Sequence, residues 1–296
     1  MKSNVIELGE FFHKNKFIPL ILHWFKKNQR NLYWRRNRDL YLTYLSEIML
    51  QQTTVKTVEN KILEIINIFP SFNSFKNKKL EQLLKVWSGL GYYNRAVNLF
   101  KAVTIINNKF NGVLPDNRDS LISLPGVGTY TSSAILAIGH NQKAFPIDVN
   151  VKRLVERISG AEFKDNEVES ILSLACKKKI SYRSLAESMM DFSSIICKKN
   201  NPDCDKCKFS NFCKSAFQKF ENNQNTKKIN KKIDFYILNS PLHICFIKKP
   251  KFQFYKNFIH LPSNLDEEFI SKIKLKKKEK IKSCLLYTSP SPRDGW

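Results

Sequence analysis

No apolar run in this 296-residue sequence reaches the roughly 18 to 20 residues that a membrane span requires. The first ten residues, Met1 to Glu10, also lack the charged-then-apolar order of a secretory signal. A soluble, intracellular chain is therefore expected. Acidic residues are scarce: 26 Asp and Glu stand against 50 Lys and Arg, a formal net charge of +24. Such an excess suits a polyanionic partner and raises encounter rates with nucleic acid. Arginine is scarce too, filling ten of the 50 basic positions, and the chain is rich in Lys, Asn, Ile and Phe. A gene drifting toward A and T produces the same composition, so charge alone leaves DNA binding open. Cysteine is limited to seven residues, an odd number, yet four of them crowd into the 17 residues from Cys197 to Cys213. Disulfides do not suit an intracellular chain, and such crowding points to metal.

What the sequence does have is a helical rhythm. From Tyr41 to Phe69 the apolar residues Leu45, Ile48, Met49, Val55, Val58, Ile62, Ile65 and Ile66 recur at spacings of three and four. Helices are also expected at 78–87, 94–108, 118–123, 129–139, 149–158, 167–178 and 183–196, separated by short breaks carrying Pro, Gly or Asn. Alternation with period two is sparse before residue 230, so residues 1–225 read as an all-α, compact array. A polar linker, Glu221 to Lys232, then leads to strand-like runs, "DFYIL" and "HICFI". A basic, helix-like stretch from Lys272 to Lys282 meets "SCLLYTSPSPRDGW", whose Ser, Pro and Arg content differs from everything upstream. That tail, 284–296, reads as adaptor-like foreign sequence and is set aside in fold reasoning, in which case the natural C-terminus is missing.

Three features carry chemistry. "LPGVGTYTS", Leu124 to Ser132, places Gly126 and Gly128 in a tight turn that opens a helix, where backbone N–H groups and the helix dipole can hold a phosphate without a lysine. A plain turn is the competing explanation. A second Gly-x-Gly, "WSGLGYYNRA" from Trp87 to Ala96, is expected to expose Leu90 beside Tyr92 and Tyr93, as a wedge between base pairs requires. Inward packing of Leu90 and Tyr92 is the alternative. Two carboxylates stand out next. Glu47 sits in the apolar stretch "YLSEIMLQQ", where partial burial raises a carboxyl pKa and solvation leaves it ordinary. Asp148, in "FPIDVNVKR", precedes a helix and is either an N-cap or a functional acid. The third feature is the cysteine spacing C-x6-C-x2-C-x5-C, formed by Cys197, Cys204, Cys207 and Cys213. Four thiolates in so short a loop can hold a zinc ion or a [4Fe–4S] cluster, although zinc fingers usually present two close pairs rather than one.

Taken together and in order, "SEIMLQQT", "WSGLGYYNRA", "LPGVGTYTSSAI", "DVNVKR" and the cysteine set resemble the adenine DNA glycosylases of the endonuclease III superfamily of helix-hairpin-helix glycosylases, over about residues 20–215. The resemblance implies an all-α helix-hairpin-helix glycosylase fold with two helical lobes and an iron–sulfur loop. One lobe would cover about 37–148, the other about 1–36 and 149–220. A partial, Nudix-like α+β region would follow at 233–283. It also implies a monofunctional, monomeric DNA repair enzyme of the bacterial cytoplasm and nucleoid. Such an enzyme hydrolyses the N-glycosidic bond of adenine mispaired with 8-oxoguanine or guanine in duplex DNA. Glu47 takes the place of the family's catalytic acid and Asp148 that of its essential aspartate, a pair suited to an oxocarbenium-like glycoside hydrolysis. Asn150 matches a residue that supports Asp148. Tyr130 falls where bifunctional relatives carry an amine, and no lysine occurs from Leu124 to Gln142, so Schiff-base chemistry has no obvious nucleophile.

By the same match, Arg30, Trp34, Arg35 and Glu187 line the pocket for a flipped adenine, while Gln52, Thr53, Leu90 and Tyr92 probe the opposing base. The cysteine spacing is the one these families use for a [4Fe–4S] cluster. The sequence departs from the family at Val149, where "DVN" replaces the usual "DGN", and at Asn31 and Tyr33 near the pocket. An endonuclease III-like enzyme, a thymine-mismatch glycosylase and a DNA-binding relative without activity remain as alternatives.

Overall fold

The computed structural model describes residues 2–218 except Lys178, and beyond them the backbone of four short strand segments. The chain divides near residue 222 into two units. In the second, β1 (Asn230–Ile233) pairs antiparallel with β4 (Cys284–Tyr287), and β2 (Asn239–Ser240) with β3 (His243–Ile244). The strand-like run at 234–238, most of the expected linker, the helix-like stretch 272–282 and residues 288–296 lie outside the described residues.

Among its described residues the first unit has helices, turns and loops but no strands, and its helices gather around two cores. The order is α1 (Lys2–Lys14), α2 (Phe17–Asn28), α3 (Tyr33–Arg36), α4 (Leu40–Leu50), α5 (Val55–Ile68), α6 (Leu80–Val86), α7 (Asn94–Lys109), α8 (Arg118–Ile122), α9 (Thr129–Ala134), α10 (Val149–Ser159), α11 (Asp165–Ala175) and α12 (Tyr182–Ile195). Side-chain caps start several of them: Asp39 accepts from Leu42 N at 2.6 Å, Asn117 from Ser120 N at 3.0 Å and Ser181 from Ser184 N at 3.2 Å. Each supplies an oxygen to an N–H that the helix leaves unpaired, worth about 1 kcal/mol.

One core is built from α3 to α9. It holds the fully buried Tyr44, Leu45, Ile62, Trp87, Leu99 and Ile135, with Tyr41, Phe72 and Phe75 in edge-to-face contact. The other joins α1 and α2 to α10, α11 and α12, around Phe12, Phe17, Phe192 and Phe209. The chain thus returns its two N-terminal helices to the company of its later ones. Each core is apolar on the face that sequence periodicity marked, because burying a side chain of this size contributes about 1.5–3 kcal/mol.

The expected helices at 78–87, 94–108, 118–123, 149–158, 167–178 and 183–196 all occur, with ends shifted by up to three residues. The segment 129–139 differs: α9 ends at Ala134 and Ile135–Gly139 continues as a π turn. Arg183 donates from Nη2 to the Gly139 carbonyl at 2.6 Å and from Nε to that of Ile138, so a side chain from α12 satisfies carbonyls at the end of the widened turn. The Gly-x-Gly turn after α6 also differs from expectation. Leu90 is buried at 4% exposure within the first core, whereas Tyr92 is 54% exposed. Positive φ at Gly89 (92°), Gly91 (68°) and Tyr92 (44°) curls the turn so that its leucine faces the protein. Leu90 is therefore an anchor of that turn, not its exposed tip.

Helices α1 and α11 meet at Gly9, where an added Cβ would stand 2.5 Å from Leu174 Cβ and 3.4 Å from the Ile171 carbonyl oxygen. Gly9→Ala should push the helices apart and lower unfolding stability by about 1–3 kcal/mol in urea titration, despite alanine's better helix propensity. An unchanged or raised midpoint would show that α1 does not pack there.

Candidate active site

The helix-hairpin-helix element is α8, the turn Leu124–Gly128 and α9. Leu124 and Val127 anchor it in the first core, at 2% and 6% exposure. Gly126 has φ +81° and an added Cβ would lie 3.0 Å from Asn98 Cβ, so both backbone and space demand glycine. Gly128 precedes Thr129 with ordinary φ, and nothing lies within 4 Å of the position its Cβ would take. The start of α9 is consequently open. Gln51 ties this turn to the end of α4, donating from Nε2 to Gly126 O at 3.0 Å and to Thr131 Oγ1 at 3.2 Å.

Three predicted groups share one electrostatic environment beside this element. Glu47 lies in α4 with 8% exposure, and burial pushes its carboxyl up to about 7; Arg35 opposes that rise, and Glu187 and Asp148 add to it. Tyr130 feels both Glu47 and Asp148, and burial together with those carboxyls holds its phenol well above the usual range. Asp148 is the N-cap of α10. Its Oδ1 accepts from Val151 N at 2.7 Å and Asn150 N at 3.1 Å, and its Oδ2 from Asn150 Nδ2 at 2.7 Å. Capping does not bury this side chain: three N–H bonds fix the carboxylate while it stays partly exposed. Val149, where the resembled family has glycine, takes no left-handed backbone and sits 40% exposed at the start of α10. The valine is accommodated without strain.

Asn150 passes the connection onward. Its Oδ1 accepts from Arg153 Nη1 at 2.9 Å, and Arg153 donates from Nε and Nη2 to the Cys197 carbonyl at 3.0 and 2.9 Å. Arg157 donates to the Lys198 and Lys199 carbonyls at 2.6 and 2.7 Å and approaches Cys197 Sγ at 3.6 Å. Cys197, Cys204, Cys207 and Cys213 line one cavity, which also has Leu154, Ile158 and Ile196 in its wall. Backbone N–H groups of Phe209 and Phe217 point at Cys207 Sγ and Cys204 Sγ, both at 3.4 Å. Among the described residues no group of three or more His, Cys, Asp or Glu is drawn together tightly enough to hold a metal ion.

The predicted pocket residues fall into two groups. Arg35 and Glu187 act on Glu47, Arg30 joins them through the Asp191 it shares with Arg35, and Trp34 is buried at 8% exposure in the first core. Gln52 and Tyr92 are exposed with left-handed φ of 59° and 44°, whereas Thr53 and Leu90 are buried. These two loops are joined by a residue the sequence did not announce. Arg95, 8% exposed on α7, donates to the carbonyls of Met49 (2.7 Å), Gln51, Leu90 (2.8 Å) and Gly91 (3.2 Å) and to Thr53 Oγ1 (2.9 Å), and its guanidinium lies over the rings of Trp87 and Tyr92. Burial lowers its pKa to about 10, so it stays charged at neutral pH. The second missed residue, Asp191 on α12, is fully buried between Arg30 and Arg35. Only the tertiary position of an ordinary-looking Arg in "NRA" and Asp in "MDF" reveals either.

A family model described as the HhH-GPD superfamily of base excision DNA repair proteins matches residues 45–178. An adenine DNA glycosylase of Buchnera aphidicola subsp. Baizongia pistaciae is 35% identical over 253 residues, covering 83% of this chain and 68% of that relative. Another, from subsp. Schizaphis graminum, is 34% identical over 287 residues, covering 90% of this chain and 79% of its own. The chain belongs to the adenine DNA glycosylase family.

This adenine DNA glycosylase family member is thus a DNA N-glycosylase with the HhH-GPD helical fold. Solved structures agree on that fold. A thermostable thymine-DNA glycosylase is similar with a TM-score of 0.64 and 29% identity, over 69% of this chain and 96% of that one. A non-covalent endonuclease III–DNA complex is similar with a TM-score of 0.58 and 22% identity, over 68% and 94%.

Two outcomes follow from the buried charges. Between its ordinary value of 4.5 and about 7, Glu47 holds a proton in the folded protein that the unfolded chain has released. Its contribution to stability therefore falls as pH rises through that window and stays low above it. Glu47→Gln cannot ionise, so its stability relative to the parent should grow by about 2 kcal/mol between pH 5 and pH 8 in denaturant titrations. A gap independent of pH would mean that Glu47 titrates as a solvated side chain. Arg95→Met removes the shared donor of six acceptors, four of them in buried bonds, and should cost about 3–5 kcal/mol of stability. A loss below about 1 kcal/mol, within the range of ordinary surface changes, would contradict the clamp described above.

Proposed function

We propose that the protein is a monofunctional adenine glycosylase of base-excision repair that releases adenine mispaired with 8-oxoguanine or guanine in duplex DNA. The observation that carries this reading is the environment of Glu47: a carboxyl pushed up to about 7, facing Asp148 and Tyr130, with Arg35 as the cation it feels. A carboxyl that keeps its proton near neutral pH can donate to the leaving purine. Asp148, whose oxygens accept three N–H bonds, is suited to stabilise the cationic sugar that forms as the base departs. Water then attacks the sugar and leaves an abasic site. Tyr130 offers a phenol rather than an amine, and the charged side chains acting on Glu47 include no lysine. A covalent enzyme–sugar imine therefore has no obvious donor here.

Adenine reaches these groups by leaving the stack, a step that costs a few kcal/mol. Arg35 and Glu187, which act on Glu47, together with Arg30 and the buried Trp34, are the candidates to meet the extruded base. The exposed Gln52 and Tyr92 suit the space the base vacates and the base opposite, while Thr53 and Leu90 hold their loops in place. Gly126 and Gly128 present backbone N–H groups at an open turn, which suits a DNA phosphate.

The cysteine loop fits a [4Fe–4S] cluster. Four thiols line one cavity, and their single close pair with two outliers differs from the two close pairs that zinc fingers usually present. N–H groups from Phe209, Phe217 and Arg157 are directed at three of the sulfurs, the donor set that thiolate ligands favour. Cys197, Cys204, Cys207 and Cys213 would ligate the cluster, which would brace the loop that carries Lys198, Lys199, Lys206 and Lys208 toward a DNA backbone. We further propose the domain plan given above, with residues 1–220 as the glycosylase domain of a monomer and 233–283 as a partial Nudix-like region concerned with the oxidised guanine.

Single-turnover incubation with an A:8-oxoguanine duplex should release adenine and yield strand breaks only after alkali, and Asp148→Asn should slow release by about 100-fold or more. A T:G duplex, included because of the likeness to a thymine-DNA glycosylase, should be cut far more slowly. Strand scission without alkali, or a high yield of borohydride-trapped adduct, would overturn the monofunctional assignment.

A further inference from the structure

Asp191 has no side-chain exposure, and no step of the chemistry above touches it. A buried carboxylate is costly unless it is paired, and this one is paired twice. Its Oδ1 accepts from Arg30 Nε at 2.7 Å and Arg35 Nη2 at 3.0 Å, and its Oδ2 from Arg35 Nη1 at 2.7 Å and Arg30 N at 3.0 Å. The pairing with Arg35 is two-pronged, a geometry only a guanidinium allows. Arg35 Nε faces Glu187 Oε1 at 3.7 Å, so each edge of this cation is directed at a carboxylate other than Glu47. Arg35 is nevertheless close enough to act on Glu47 through space.

The charged and titratable groups that face Glu47 are Arg35 from α3, Glu187 from α12, Asp148 from the start of α10 and Tyr130 from α9. Arg35 is the single cation among them. Were it free to pair with Glu47, the acid would become a carboxylate at the pH where it must hold a proton. Arg35 Nη1 and Nη2 each donate to Asp191, and Nη1 also approaches the Arg30 carbonyl at 3.5 Å, so the guanidinium is anchored in one orientation. We propose that Asp191 is a positioning residue for base release: by taking both outer nitrogens of Arg35, it neutralises that guanidinium and holds it off the Glu47 carboxyl. Burial opposes ionisation of Asp191, but the two arginines outweigh it and keep the side chain charged.

The inference rests on Glu47 acting as the acid, so the test separates the two ideas. Loss of base release in Glu47→Gln checks the acid itself. For Asp191, the readout is the fall in second-order base release at high pH, which reports protonation in the free enzyme, together with a carbon-13 NMR titration of the Glu47 carboxyl in DNA-free protein, assigned by its absence in Glu47→Gln. In Asp191→Asn the Arg35 charge is no longer neutralised. Both midpoints should move down by about one pH unit, giving about a tenfold rate loss at pH 8 and little at pH 6. Asp191→Asn/Arg35→Gln removes both charges and should return the NMR midpoint to the parent value or above.

Should Asp191→Asn be too unstable to study, Arg35→Lys serves in its place. A lysine keeps the charge but cannot span both oxygens of Asp191, so it too should lower the midpoint. A uniform rate loss with midpoints unmoved in whichever single variant is folded would reduce Asp191 to a structural ion pair and overturn the proposal. So would a lowered midpoint that persists in the double variant, because the effect would then not pass through Arg35.

Discussion

Keeping one carboxyl away from both water and a direct cation is the constraint around which this molecule is arranged. Glu47 occupies a helix whose neighbours, Tyr44, Leu45 and Ile48, are fully or almost fully buried. Water barely reaches its charged form, and among the described residues no ion pair replaces the lost hydration. The resulting rise to about 7 represents stability given up at neutral pH, on the order of 3 kcal/mol. Two aromatic-rich cores supply far more than that, which lets a small, strained electrostatic environment persist at the candidate site.

Arginine does most of the internal tying, which is notable in a chain whose positive charge is mostly lysine. Arg30 and Arg35 are held by Asp191, Arg95 gathers carbonyls from two loops, and Arg153 and Arg157 bind the carbonyls of the cysteine loop. A planar, weakly hydrated guanidinium with five donors can satisfy several buried acceptors at once, and an ammonium cannot do so in fixed directions. The route from Asp148 through Asn150 and Arg153 to Cys197 uses the same property. It gives the carboxylate at the start of α10 a hydrogen-bonded footing in the cysteine loop.

Helix positions were legible because an apolar stripe of period 3.6 is a local signal, and it survives in α5, α7 and α10 to within a residue or two. The glycine turn before α9 was legible for the same reason: φ +81° at Gly126 is a local demand that glycine meets. Leu90 was misjudged because exposure is not local. Whether a leucine at the tip of a Gly-x-Gly turn faces out or in depends on the carbonyls that Arg95 draws inward from Leu90 and Gly91, across five residues and from another helix. The π turn after Ala134 was invisible likewise, since the group that satisfies its carbonyls, Arg183, comes from α12.

By itself the sequence determined the helices from α4 onward, the hairpin, the cysteine spacing, the absence of lysine beside Tyr130 and, through its ordered motifs, the family. These are properties of short stretches, set by backbone conformation and side-chain chemistry within a few residues. Only the tertiary structure decided that Glu47 is desolvated, that Asp148 both caps a helix and faces Glu47, and that Asp191 and Arg95 matter at all. Desolvation and charge coupling act through space at a few ångströms, between residues more than a hundred positions apart, and no local pattern in the chain encodes that distance.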